Sequence, residues 1–408
     1  MDVKSLRVFL QFGTSKILVG DLGKIDHQIY FRFDSEFLQK RIEISPFRLK
    51  TSSEIKACPK DPFDGVFGVF NDSLPDGWGK LLIDRKLIER GIAPSALGAM
   101  ERLSLLGENT QGALVYEPAL DQNQTVLDAV DLEEIAFESL KVLKIESNRF
   151  LDQLYALGGN SAGARPKINI YYHELLSEFS VLPTPEREAW MIKFPSLYDL
   201  KDSAKIEFAY YSMAKEAGIT MSRSCLFEGA TGNFYFGTKR FDRIGSARQH
   251  FHSASGLLHD NFRVSSIDYG HVMDAANKLE NNLHAAIQVF RLAVFNIYSG
   301  NMDDHSKNIG FLMDEKGNWK LAPAYDLTFS PKAGGYQSLS VAGSYKDIGK
   351  KELLLLAQHF SIRNGHQIIE EIKEILATWK RKARELDIKK KEANLVSNFL
   401  ERKISMKS

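Results

Sequence analysis

The stretch Asn301-Met302-Asp303-Asp304-His305-Ser306-Lys307-Asn308, read with Ala324-Tyr325-Asp326-Leu327 downstream, decides the fold class of this chain. An Asp, an Asn five residues later and a second Asp about two dozen residues further on is the order of catalytic parts in kinase-like phosphotransferases. In that chemistry the first carboxylate accepts the proton of an attacking hydroxyl. The Asn holds Mg²⁺, and the last Asp holds Mg²⁺ against the phosphates of ATP. Asp303 is thereby the candidate base, Asn308 and Asp326 the candidate metal ligands, and Lys307 a candidate γ-phosphate contact. His305 is expected to hold the loop by hydrogen bonds. The spacing alone is a weak signal; its weight comes from parts that lie upstream in matching order.

The first of these is Leu157-Gly158-Gly159-Asn160-Ser161-Ala162-Gly163-Ala164, just before the strand-like run Lys167 to Tyr172. Glycines let backbone N–H groups approach a phosphate chain and form an anion-binding nest, so Gly159, Ser161 and Gly163 are candidate ATP contacts. No Gly-Lys-Ser/Thr ends the stretch, which excludes a Walker A loop, and a plain hairpin turn is the alternative. Next comes Lys193, between Ile192 and Phe194 in an apolar strand. A lysine there is costly unless it meets an anion or faces solvent from an edge strand. Glu207, on the following helical run, is its candidate partner. Phe236 to Arg243 then ends a strand before a polar loop, where the hinge of a two-lobed kinase falls. Lys239, Phe241 and Asp242 are the candidate nucleotide contacts of that segment, although Arg240 and Asp242 also fit an ordinary surface ion pair.

Bulk properties bound the rest. At 408 residues the chain is long enough for two or three domains with their own cores. Its 44% hydrophobic and 26% charged residues are ordinary for a globular protein, and a formal charge of +1 gives no global argument for nucleic acid or membrane. Only residues 371–408 are locally basic, with eleven Lys/Arg against six Asp/Glu, which fits the solvated face of a terminal helix. Two cysteines, Cys58 and Cys225, form no disulfide framework and no C-x-x-C pair. No apolar run has the roughly eighteen residues of a membrane span, and the N-terminus alternates like a strand instead of resembling a signal peptide. A cytoplasmic protein is expected.

Along the chain, Leu6, Val8 and Leu10, and then Ile29, Phe31 and Phe33, alternate with period two and predict strands. Gly20 to Gly23 reads as a turn between them. Asn71-Asp72-Ser73-Leu74-Pro75-Asp76-Gly77 is a dense turn cluster, with Asp76 a candidate N-cap for a helix over Trp78 to Arg90. Residues 119–130 read as a linker. Strands are expected at Lys167 to Tyr172, Trp190 to Phe194, Ser224 to Phe227 and Phe234 to Phe241, with a helix from Ser203 to Ala217. Beyond 265 the pattern is mostly helical, and His250-x-His252 reads as a solvated turn. The expected fold is α+β and two-lobed. It has a β-rich N-terminal domain (1–118), a β-rich lobe (119–245) and an all-α lobe (246–408).

With these residues assembled, the chain resembles the HipA family of bacterial serine/threonine kinase toxins over nearly its whole length. The resemblance is carried by Phe31-Arg32-Phe33-Asp34, the Asn71 to Gly77 cluster and Leu105-Leu106-Gly107 with Gly112-Ala113-Leu114. It continues through Gly163-Ala164-Arg165-Pro166-Lys167, Ile192-Lys193-Phe194-Pro195, Arg240-Phe241-Asp242-Arg243, Asp303-x-His305-x-Lys307-Asn308 and Ala324 to Leu327. The resemblance implies transfer of phosphate from Mg²⁺-ATP to a seryl or threonyl hydroxyl of a protein, with an aminoacyl-tRNA synthetase among the family's targets. It implies a HipB-like helix-turn-helix antitoxin as neutralising partner, and contact with DNA only through that antitoxin. Family members often carry an autophosphorylated serine in the glycine-rich loop; the aligned position here is Asn160, which leaves Ser161 as the nearest candidate. Two further readings stay open: a small-molecule phosphotransferase of the aminoglycoside or choline kinase type, and a non-catalytic co-repressor acting with an antitoxin.

Overall fold

Alternation in the first hundred residues resolves into an antiparallel sheet of five strands, in the order β4-β3-β2-β1-β5. They are β1 (Ser5–Gln11), β2 (Lys16–Ile25), β3 (Gln28–Phe33), β4 (Lys56–Ala57) and β5 (Leu114–Glu117). The computed structural model describes residues 2–120, 130–146 and 149–405. The expected turn at Gly20–Gly23 is instead the interior of β2, and the reversal to β3 comes at Asp26-His27. Gly20 sits in the ladder because the Arg32 carbonyl and the Phe31 ring press against its α-carbon and leave no room for a side chain. The inward set Leu6, Val8, Leu10, Leu22, Phe31 and Phe33 builds one core with Phe37, Phe67 and Phe70.

A second five-stranded antiparallel sheet follows, in the order β7-β6-β8-β10-β9. Its strands are β6 (Lys167–His173), β7 (Glu178–Ser180), β8 (Glu188–Lys193), β9 (Ser224–Glu228) and β10 (Phe234–Lys239). β8, the strand that carries Lys193, is central and pairs on both sides, which rules out an outward-facing edge lysine. Trp78 and Leu82, from the helix Gly77–Glu89, pack into the core of this sheet with Trp190 and Ile192. Part of the N-terminal region therefore belongs energetically to the second sheet. The linker expected over 119–130 falls, from 121 to 129, outside the described residues.

The remainder is helical, as the 3.6-residue periodicity predicts. Helices Tyr269–Glu280, Leu283–Ser299, Lys350–His359, Gly365–Ala377, Trp379–Glu385 and Lys390–Ser405 share a core with helix Ser203–Glu216. Strands are added to this helical lobe. A short ribbon, β11 (Arg243–Ile244) with β12 (Ala247–Arg248), leads into a three-stranded sheet of β13 (His250–Ser253), β14 (Gly310–Met313) and β15 (Trp319–Leu321). A further pair, β16 (Tyr336–Val341) and β17 (Ser344–Lys346), flanks the cleft.

The His250-x-His252 reading needs correction: both rings are buried within β13, not solvated in a turn. His250 Nε2 meets the Ile44 carbonyl at 2.9 Å, and His252 bridges Asp72 and Ser45 at 2.6 and 2.9 Å. Met313 and Trp319 pack into the N-terminal core from the same sheet. These contacts weld the N-terminal domain to the strand that follows the Asp303 loop. Among the described residues no helix is long and apolar enough to cross a membrane.

Candidate functional site

The second sheet and the helical lobe enclose a cavity of about 850 Å³, within the range of nucleotide-sized sites. Gly159 is absent from its lining. All the other residues singled out for the reaction line it: Ser161, Gly163, Lys193, Glu207, Lys239, Phe241, Asp242, Asp303, His305, Lys307, Asn308 and Asp326.

Lys193 is the centre of the charge arrangement. Its Nζ lies 2.5 Å from Glu207 Oε1 and 2.5 Å from Asp326 Oδ1. Burial alone disfavours an ammonium ion, but Asp326 and Glu207 outweigh it and raise the Lys193 pKa. Asp326 shows the converse: burial pushes its carboxyl up, yet Lys193 and Lys167 hold it well below the ordinary carboxylate range. The Asp326 backbone is left-handed, with φ of 59°, a conformation that a non-glycine residue keeps only when its surroundings enforce it. Arg165 closes the network from the glycine-rich loop, 3.5 Å from Glu207 and 3.2 Å from Asp199.

The Asp303 loop emerges from the C-terminal end of helix Leu283–Ser299 and is fixed from below. The buried Asn301 donates to Asn296 Oδ1 at 3.0 Å and accepts from Ser330 at 2.8 Å. Asp304 takes the Tyr269 hydroxyl at 2.8 Å and the Ser338 amide at 2.9 Å, and burial lifts its pKa to about 6. The Asp303 side chain, in contrast, is about half exposed, and its carboxylate meets Lys332 at 3.2 Å. A carboxylate that is open to solvent beside anchored neighbours is positioned for a substrate hydroxyl. Asn308 Nδ2 donates to the Asp303 carbonyl at 2.9 Å, which leaves its Oδ1 without a protein donor among the described residues. The Asn308 amide oxygen and the Asp326 carboxylate form a hard-oxygen set of the kind Mg²⁺ takes together with substrate phosphates. The residues present therefore fit the ion. His305 packs on Phe262 with ring centroids 5.0 Å apart, and burial lowers its pKa; its buried Nδ1 finds no hydrogen-bond partner among the described residues, so the expected hold by hydrogen bonds is not what the ring makes here.

The glycine-rich loop links helix Leu151–Gly158 to β6, so it is not a hairpin turn. Ser161 is buried and donates to the Gly158 carbonyl at 2.6 Å. Asn160 is buried between Asn109 and Asn169, at 2.7 and 2.8 Å. In this conformation neither side chain is presented to solvent.

The hinge segment is more structural than expected. Asp242 is buried; Arg240 grips it at 2.9 and 2.8 Å, Arg243 at 2.7 Å and the Gly112 amide at 2.8 Å. The surface ion pair reading thus fails, because both arginines and the carboxylate lie inside the protein and tie the hinge to the N-terminal sheet. Lys239 pairs with Glu188. Phe241 lines the cavity, packed on Tyr325 at 5.5 Å and Phe251 at 5.9 Å.

Among the charged site residues that the sequence left without a role in the reaction, Lys167 and Asp76 stand out. Lys167 lies opposite Lys193 in the β6–β8 register, donates to the Ala162 carbonyl, and burial with repulsion from Lys193 brings its pKa down to about 8. Asp76 was expected as a helix cap, but its side chain makes no cap hydrogen bond. It accepts from the Gly163 amide and meets Lys307 Nζ at 2.6 Å. Nothing local in Leu-Pro-Asp-Gly separates such an aspartate from an N-cap; only the tertiary fold reveals its partners.

A nucleotide-sized cleft between a five-stranded sheet and a helical lobe, with a Lys–Glu pair on one side and an Asp–Asn loop on the other, defines a two-lobed protein-kinase-like fold. The HipA N-terminal domain matches residues 10–117, and the HipA-like C-terminal domain matches residues 159–380. The chain belongs to the HipA family. It is similar to the solved Shewanella oneidensis MR-1 HipA of the toxin–antitoxin complex with HipB and its operator DNA. That likeness has a TM-score of 0.66 at 17% identity and covers 98% of this chain and 96% of that one, which establishes a shared fold. The Helicobacter pylori proinflammatory kinase CtkA is more distant: its TM-score is 0.38 at 15% identity, over 59% of this chain and 90% of its own. No curated protein sequence matches the chain.

Proposed function

We propose that the chain is a HipA-type toxin kinase that transfers the γ-phosphoryl group of ATP to a serine or threonine hydroxyl of a cellular protein. The carrying observation is Lys193, bonded at 2.5 Å to both Glu207 and Asp326 across the cleft from Asp303 and Asn308. Lys193 would neutralise and orient the α/β-phosphates, Glu207 would hold it in the sheet, and the glycine-rich loop would cover the phosphate chain. Asp303 would take the proton of the acceptor hydroxyl as its oxygen bonds to the γ-phosphorus and the bond to ADP breaks. Asn308 and Asp326 would hold Mg²⁺, whose charge stabilises the phosphates in transfer.

The proposed partner is a HipB-like helix-turn-helix antitoxin that would neutralise the kinase and carry any contact with DNA; family membership and the HipB complex of the Shewanella protein support it. The proposed target is a protein of translation, an aminoacyl-tRNA synthetase among them, whose phosphorylation would stop growth. The test is transfer of labelled γ-phosphate from Mg²⁺-ATP by the purified protein into a cell extract, with Asp303→Asn as control. A discrete labelled protein that is absent with the variant supports the reading. ATP binding without transfer to any protein points to a co-repressor, and transfer only to small molecules points to a metabolite kinase.

A further inference from the structure

The Asn71–Gly77 turn cluster lies in the N-terminal domain, yet its Asp76 and Gly77 line the phosphate end of the cleft. The two oxygens of Asp76 are divided between two catalytic segments. Oδ1 accepts the amide of Gly163, the last glycine of the glycine-rich loop, and Oδ2 lies 2.6 Å from Lys307 Nζ in the Asp303 loop. Both side chains are largely buried, at 15% and 11% exposed, where a charge is held only if it is paired. Burial pushes the Asp76 carboxyl up, and Lys307 outweighs it.

The backbone around Asp76 forms a seat for the loop. The Trp78 amide donates to the Gly163 carbonyl at 2.9 Å, and the Trp78 indole donates to the Lys167 carbonyl at 3.1 Å. Gly77, at φ of +45°, approaches Gly163 so closely that a Cβ would lie 2.5 Å from its carbonyl oxygen. A side chain serving only to start its helix would cap that helix; this one reaches across to two other segments.

We propose that Asp76 is a positioning residue of the phosphotransfer site, supplied by the N-terminal domain. It sets Lys307 at the γ-phosphate and holds the glycine-rich loop over the phosphate chain. The inference rests on the proposed kinase function for its catalytic consequence, and on the ion pair alone for its structural one. Removing the charge at 76 takes a negative group away from an anionic substrate, so nucleotide affinity should hold or tighten while transfer slows. A merely structural residue would lose both together.

The experiment uses the full chain with Asp76→Asn, Lys307→Met and the double variant. Three quantities are measured: Mg²⁺-ATP affinity by calorimetry, transfer rate at saturating ATP, and hydrogen exchange of residues 159–165 without nucleotide. For Asp76→Asn we expect transfer to fall about tenfold or more with affinity unchanged or tighter, and the double variant to be no slower than Lys307→Met. We expect loop exchange to rise about tenfold in both single variants. Wild-type transfer in Asp76→Asn, multiplying effects in the double variant, or affinity falling in step with rate would overturn the proposal. Should Asp76→Asn fail to fold, Lys307→Met alone decides it: unchanged exchange of the loop refutes the coupling. Should the wild-type chain transfer no phosphate, the kinase reading fails, while the exchange comparison still decides whether Asp76 joins the two loops.

Discussion

His252 Nδ1 lies 2.6 Å from Asp72 Oδ2, and both groups are almost fully buried at the boundary between the N-terminal sheet and the helical lobe. The same carboxylate accepts the Ser253 amide at 2.7 Å and the Ser253 hydroxyl at 2.6 Å. On its other face the imidazole meets Ser45 Oγ at 2.9 Å, so one aspartate anchors a chain of polar groups across the boundary. Asp72→Ala would leave buried donors unsatisfied, at a cost of about 3–5 kcal/mol. Denaturant unfolding is expected to show that loss; a change below about 1 kcal/mol would mean the network is not a structural anchor.

Acid should loosen the same boundary. His250 is buried, and burial followed by the neighbouring His252 lowers its pKa from 6.5 to about 4. With the folded value depressed, the neutral ring contributes stability that is present above pH 6.5 and is lost as pH falls towards 4. The full effect is about 3 kcal/mol. His250→Gln can still donate to the Ile44 carbonyl and does not titrate. Urea midpoints measured between pH 7.5 and 4.5 should therefore fall less steeply in the variant than in the wild type.

Lys193→Met probes the charge network of the cleft through both stability and catalysis. The methionine removes a buried ammonium at similar volume, and Glu207 keeps Arg165 nearby at 3.5 Å. Removing one partner of a buried ion network leaves the others uncompensated, and Asp326 loses its 2.5 Å cation, so the substitution is expected to cost about 3–5 kcal/mol. The melting temperature should fall, ATP affinity should fall about tenfold or more, and phosphate transfer should be lost. A variant that transfers phosphate at the wild-type rate would remove Lys193 from the site.

Gly77→Ala tests the seat of the glycine-rich loop directly. The new methyl group would meet the Gly163 carbonyl at 2.5 Å in a left-handed backbone conformation. A cost of about 1–3 kcal/mol and a slower transfer rate are expected, both measured on the purified variant. Full stability with full activity would show that the loop does not need this close approach.

The sequence reading reached the parts of the site that are local in the chain. Asp303 to Asn308 is one loop, and Lys193 stands out as a charged residue in an apolar strand; the Glu207 pairing followed from the kinase pattern. Glycines mislead where their cause is tertiary: Gly20 looks like a turn, but it is an in-strand residue crowded by Arg32 and Phe31. His250 and His252 look polar and solvated because their partners, Ile44, Ser45 and Asp72, lie about two hundred positions away. Asp76 was hidden for the same reason, since Lys307 is 231 residues distant. Period-two and 3.6-residue patterns report which face of an element is buried, but not which distant charge meets it.

The N-terminal domain is tied to both lobes: its Trp78 and Leu82 enter the core of the second sheet, and Met313 and Trp319 of the helical lobe enter its own core. A molecule braced in this way is not a clamshell. Swinging the lobes apart would pull large apolar side chains out of close packing, so under the proposed function nucleotide would come and go mainly by movement of the short span 159–166. The radius of gyration from X-ray scattering should accordingly stay constant between the ATP-free and ATP-saturated protein, whereas a two-lobed kinase without the brace would contract.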